Sequence, residues 1–331
     1  MLVAPWDHAE STWAWRGARR GRTAKTMKSL SEASLALSGT VDSRLASWSA
    51  RKWRARSIEL LRVRFVETPV GRVRVVDTAS DQPCVVIVPD GPNVIEHYAA
   101  LIERLSSNLR VVCFDMPGFG FSTPEASYRH SLDQGVAAVI GVLDQLGIAR
   151  ATLSFSCANG LYALRASRIA PERIRSLFLS QTPSLRAMLA WSERNIPKPL
   201  HVPVVGQLSS WLSKRQLAMH WYEMALPHTA DHEAFRGPAR RALAEGACFS
   251  LASVVQGLSL ETQDSVEQVT VPCTLLWGRA DRTHRRTDPQ SLLECAAGAE
   301  IVTLDGVAHF PDLEQPERFA ALLEEHVARH G

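Results

Sequence analysis

The chain has 331 residues, of which 46% are apolar and 21% charged, and a net charge of +3. That length holds one large core, or a core plus a smaller unit, and the balance is that of a globular protein, which excludes a disordered or fibrous chain. No apolar run reaches the ~18–20 residues that span a bilayer, and arginines break the Trp13–Arg20 stretch where a secretory signal needs an apolar centre, so a cytoplasmic location is expected.

The charge is unevenly spread. Residues 1–56 hold eleven Lys/Arg and four Asp/Glu, a balance of +7, which leaves −4 for the remainder. Such a segment can meet nucleic acid or an anionic membrane. The plainer reading is a solvated tail followed by one basic helix, with no nucleic-acid partner. Met27 offers a second start, which would make residues 1–26 a translated leader. The apolar spacing of Leu30, Leu35, Leu37, Val41, Leu45 and Trp48 predicts a helix within 28–56.

Period-two alternation in 61–66 and 72–76 flanks Thr68-Pro-Val-Gly71, which predicts a hairpin. Cys84–Pro89 is uniformly apolar, as a strand buried on both faces should be. A helix over 94–106, a strand over 110–114, a helix over 131–146, a strand over 151–155, a helix over 158–169 and a strand over 174–179 follow. Strand and helix in alternation give a parallel sheet covered on both sides. From Ser184 to about Val269 the pattern is helical and rich in Trp, Met and His. It returns to a strand at 273–278, a helix near 287–297, a strand at 300–304 and a last helix at 314–329. The organisation expected is an extension over 1–56, an α/β core from 57–184 and 270–331, and an inserted helical cap over 185–269.

Six cysteines, at 84, 113, 157, 248, 273 and 295, are scattered singly. Neither a disulfide framework nor a metal-ligand spacing is present. Gly118-x-Gly120 lacks the rest of a dinucleotide fingerprint. No metal and no cofactor are expected.

Four motifs follow one another along the chain: Phe114-Asp-Met-Pro-Gly-Phe-Gly-Phe-Ser122, Leu146–Leu153 leading into Ser154-Phe-Ser-Cys-Ala-Asn-Gly160, Trp277-Gly-Arg-Ala-Asp-Arg282, and Gly306-Val-Ala-His-Phe-Pro-Asp-Leu-Glu-Gln-Pro-Glu-Arg-Phe319. Together they resemble the α/β-hydrolase fold family, in its capped epoxide-hydrolase- and esterase-like branch. The resemblance implies a mostly parallel, doubly wound sheet with a helical cap. It implies that His309 is the general base and Asp281 the acid that orients it.

The nucleophile position departs from that family. Laid on G-x-S-x-G without gaps, the serine place falls on Cys157, and Phe155 and Asn159 stand where glycines are usual. A shifted register makes Ser156 the nucleophile instead, at the expense of moving the following helix by one residue. A cysteine at a helix N-terminus beside an imidazole is expected to form a thiolate–imidazolium pair. Dienelactone hydrolases, within the same fold, use cysteine in this way.

The oxyanion loop departs too. Asp90-Gly91 replaces the usual His-Gly, and Pro92 has no N–H to donate. Ala158 and Asn93 are the candidate donors. Glu96 and His97 follow closely, either as auxiliary acid/base groups or, the plainer reading, as exposed residues on the first turn of a helix. Asp90, Gly91, Pro92, Phe155, Trp191 and Trp221 are expected to line a pocket for a small apolar or acyl substrate, free or carrier-bound. The expected activity is hydrolysis or transfer of an ester, lactone or thioester through a covalent acyl-enzyme. The alternatives are a serine hydrolase using Ser156, a non-hydrolytic lyase or cyclase, and a decayed ligand-binding protein. The oligomeric state is not legible from these residues.

Overall fold

The computed structural model describes residues 33–50 and 62–330. Helix α1 covers 33–50. The hairpin follows as β1 (Val63–Thr68) and β2 (Gly71–Asp77), then β3 (Cys84–Val88), α2 (Ala99–Leu105) and β4 (Arg110–Phe114). Two short strands, β5 (Phe119–Gly120) and β6 (Thr123–Pro124), precede α3 (Leu132–Gln145). Next come β7 (Ala151–Phe155), α4 (Asn159–Ile169) and β8 (Ile174–Ser180). A helical stretch then holds α5 (Leu185–Asn195), α6 (Val205–Ala225), α7 (His232–Glu245), a short β9 (Cys248–Phe249) and α8 (Leu251–Leu258). The chain closes with β10 (Cys273–Gly278), β11 (Glu300–Leu304), α9 (Pro311–Glu314) and α10 (Pro316–His330).

The main sheet runs β1-β2-β4-β3-β7-β8-β10-β11, with β6 beside β2. From β4 to β11 every pairing is parallel. Alternate residues of the buried strands serve two separate core layers. Val86, Val88, Leu153 and Phe155 face one, and Val85, Ile87 and Phe178 the other. That double burial is why these strands read as unbroken apolar runs.

Strand order reverses around β3: the chain goes outward to β4, then crosses back over β3 to β7. The loops leaving β3 and β7 therefore diverge and open a crevice at their carboxyl ends, where such sheets bind ligands. Asp90 lies just after β3 and Cys157 just after β7.

Two expectations change. Residues 289–294 form a 3-10 turn rather than an α-helix. The basic N-terminal helix is not simply solvated. Leu35, Ala46, Ser49 and the Asp42 carboxyl are buried, and Ser253 Oγ donates to Asp42. Residues 1–32 and 51–61, which include the proposed leader, lie outside the described residues.

Candidate active site

The turn after β7 sets the geometry. Ser156 still pairs with the sheet, in a bridge to Ser180. The next residue, Cys157, has φ +52°, a left-handed conformation that L-residues adopt at a cost of order 1–3 kcal/mol. Its N–H donates to Ser180 O at 2.8 Å, and its C=O accepts from Thr182 Oγ1 at 3.0 Å. Helix α4 begins two residues later. The strained tip of this strand–turn–helix is thus Cys157 and not Ser156. Phe155 is fully buried in the core layer and Pro92 does not line the cavity, so neither is a pocket residue, contrary to expectation. Pointing Phe155 downward is how the turn accommodates a bulky side chain in a place where glycine is usual.

His309 sits between β11 and α9 and is fully buried. Its Nδ1 is 2.6 Å from Asp281 Oδ2. Its Nε2 is 3.1 Å from Asp90 Oδ2. Asp281 Oδ1 accepts from Thr283 N and Oγ1 at 2.8 and 2.7 Å, and Oδ2 accepts from Gln181 Nε2 at 2.6 Å. Gln181 also accepts from Gly278 N at 2.7 Å, which ties the end of β8 to the end of β10.

Charge explains the protonation of the group. Burial alone would lower the His309 pKa, but the Asp281 charge and its hydrogen bonds to Asp281 and Asp90 hold it well above the ordinary imidazole value. Burial works against the Asp281 carboxylate too, yet the His309 charge keeps its pKa well below the usual range. Burial pushes the Asp90 carboxyl up, partly offset by its bond to His309. Burial and the Asp90 charge push the Cys157 thiol up, although His309 works in the other direction. Burial and the Asp90 charge thus work against the expected thiolate, while the two carboxyl groups favour the protonated imidazole.

The oxyanion expectation is half changed. Asn93 N–H donates to Asp90 O at 2.9 Å, closing a turn, and Asn93 Oδ1 accepts from Tyr222 OH at 2.8 Å. Asn93 serves the loop and does not line the cavity. Ala158 and Gly91 do line it, and among the described residues neither N–H makes a backbone hydrogen bond. His97 and Glu96 are structural: His97 Nε2 lies 2.9 Å from Phe235 O, and Glu96 pairs with buried Arg74 at 2.7 Å.

A cavity of about 200 Å³ opens above Cys157. Asp90, Gly91, Trp191 and Trp221 line it, the last two from α5 and α6. The Trp221 ring meets His309 edge-on at 5.0 Å. Trp191 stacks on His284 at 5.2 Å, and His284 stacks on His309 at 5.4 Å. His284 and Gln181 escaped the sequence reading. For His284 a signal existed, since it lies one helical turn's spacing beyond Asp281 in the same strand-end segment. Cys157, His284 and His309 bring one donor atom each within 4.8 Å of one another. The two ring nitrogens of His309 already face Asp281 and Asp90, so a metal there would compete with both carboxylates.

A model of the alpha/beta hydrolase family matches residues 85–322. The chain belongs to that family. Among curated alpha/beta hydrolase relatives, a 2-hydroxymuconate semialdehyde hydrolase of Pseudomonas sp. (strain CF600) is 24% identical over 269 residues, 78% of this chain and 90% of its own. A pimeloyl-[acyl-carrier protein] methyl ester esterase of Neisseria meningitidis is 27% identical over 234 residues, 69% and 86% of the two chains. The fold is that of epoxide hydrolase A from Mycobacterium thermoresistibile, with TM-score 0.67 and 18% identity over 81% of this chain and 98% of that one. This alpha/beta hydrolase is thus an enzyme of the hydrolase type, built on a mostly parallel sheet.

Proposed function

We propose that the protein is an ester or thioester hydrolase that works through Cys157, His309 and Asp281 and a thioester acyl-enzyme. One observation carries this reading: Cys157 occupies the strained turn, at φ +52°, beside a histidine oriented by Asp281. The named esterase and hydrolase relatives support the reaction class.

Asp90 supplies the missing step. In the resting site His309 is protonated and Cys157 is a thiol. A buried carboxylate with a raised pKa can take the Nε2 proton, which frees that nitrogen for the thiol proton. The sulfur then attacks the acyl carbon, and the Ala158 and Gly91 N–H groups face the oxyanion. Once protonated, Asp90 donates to that oxyanion rather than repelling it. His309 passes its proton to the leaving oxygen or sulfur. Water, deprotonated by His309, cleaves the thioester and regenerates the thiol. The helical stretch over 185–258 acts as a cap, and the Trp191 and Trp221 rings exclude water from this sequence.

Intact-mass measurement after brief exposure to a p-nitrophenyl ester tests the proposal. The expected result is one hydroxylamine-labile acyl group on Cys157. Full turnover by Cys157→Ala, with the adduct on Ser156, would overturn it.

A further inference from the structure

We propose that α1 and α6 together form a docking face for an anionic lipid surface. The two helices lie side by side and run in the same direction. Ser38 Oγ accepts from Val204 N at 3.1 Å near their starts, and the Trp48 and Trp211 rings meet edge-on at 5.5 Å further along.

Eight large apolar side chains are exposed among the described residues, and six belong to this face: Leu37, Trp48, Val202, Val205, Leu208 and Leu212. The clustering is what separates them from ordinary scattered exposure. Val205, Leu208 and Leu212 recur at helical spacing and form one stripe on α6, with Leu212 at 74% exposure. Leu37 and Trp48 lie on the corresponding stripe of α1. Both helices also have a buried side, with Leu35 and Ala46 on one and Ala218 and Tyr222 on the other. The exposed stripe is therefore a second apolar face on helices that already have a first.

Charge selects the occupant. From Lys198 to Tyr222 the sequence has Lys198, Lys214 and Arg215 and no acidic residue. The one acidic side chain of α1, Asp42, is buried. Beside Trp48 and Leu212 lies an open groove of about 640 Å³, and Lys214, Arg215 and Arg240 line it without any carboxylate. Within it Lys214 Nζ donates to Ala247 O, and Arg240 pairs with Glu233. Apolar anchors including tryptophan, beside a groove lined by Lys214, Arg215 and Arg240, match acyl chains beneath anionic headgroups. No described helix is long and apolar enough to cross a membrane, so the contact is with the surface. Further along α6, Leu217, Trp221 and Met224 line the catalytic cavity, which brings the docked face and the cavity roof onto one helix. The docking face stands whether or not Cys157 is the nucleophile.

Co-sedimentation of the full chain with phosphatidylcholine vesicles, with and without phosphatidylglycerol, is the test. Binding should require phosphatidylglycerol and weaken with salt. Leu208→Asp/Leu212→Asp should lower the partition coefficient at least about tenfold, and Arg215→Glu about fivefold, while the exposed control Leu260→Asp should not change it. Unchanged melting temperatures will show that the variants are folded. Absence of binding, equal binding to both vesicle types, or binding indifferent to these substitutions would overturn the proposal. So would a concentration-dependent dimer that the Leu212 change abolishes without any vesicle binding, because the face would then belong to a second copy.

Discussion

Asp90 Oδ2 lies 3.1 Å from His309 Nε2, the ring nitrogen that serves Cys157 in the proposed cycle. The opposite nitrogen is held at 2.6 Å by Asp281. Two carboxyl groups on one imidazole stabilise its protonated form, so the base has to be unloaded before it can act. The proposed catalytic cycle makes Asp90 the group that unloads it.

The Asp90→Asn substitution removes one of the two negative partners. The His309 pKa should fall, and the limb of the kcat/KM profile that rises with pH should move toward acid. An unmoved limb would take Asp90 out of the proton path.

Stability should carry the same signature. The folded-state pKa of His309 is raised, so its contribution is complete below the unfolded value of about 6.5 and is lost as pH rises through the folded value. Asp281 is held low, so its contribution is complete above about pH 4 and is lost as pH falls. Urea midpoints should therefore decline above about pH 6.5, and His309→Ala should flatten that decline. Equal alkaline sensitivity in the variant would contradict the linkage.

Replacing Cys157 by Ala should reduce ester turnover by about 10³-fold or more, while Ser156→Ala should stay within about threefold. The strained φ belongs to residue 157, and Ser156 is engaged in the sheet bridge. Steady-state kinetics on both variants decides between them.

Gly160 packs against Thr182 so closely that an added Cβ would sit 2.1 Å from Thr182 Oγ1. Thr182 cannot retreat without losing its bond to Cys157 O. Gly160→Ala should lower stability by about 1–3 kcal/mol and disturb the turn. Adding Thr182→Ala should recover part of the melting temperature, and no recovery would point to a different source of strain.

Gln181→Leu leaves the Gly278 N–H without its partner and takes one donor from Asp281. The expected loss is about 1–3 kcal/mol in denaturant unfolding, with kcat reduced more than KM. A stability loss with kcat intact would make Gln181 a scaffold residue only.

Most of the main sheet is legible in the chain. The predicted strands 110–114, 151–155 and 300–304 match the observed ones to the residue; β7 is buried throughout and β4 from Val111 onward. Apolar runs bounded by turns leave few alternatives when both faces must be covered. Local motifs are dense at strand ends, and they single out His309, Asp281 and the turn at 156–158, of which the structure brings His309 and Asp281 to 2.6 Å. The 3-10 turn at 289–294 was less legible, since Pro289 opens it and local periodicity does not separate one helix type from the other. How distant groups share charge emerges only once the chain is folded. The His309–Asp90 contact spans 219 positions and the Gln181–Asp281 contact spans 100. Side chains that far apart leave no periodicity in the chain. Burial, which raises the thiol and the Asp90 carboxyl alike, is a property of the assembled core rather than of any local run of residues.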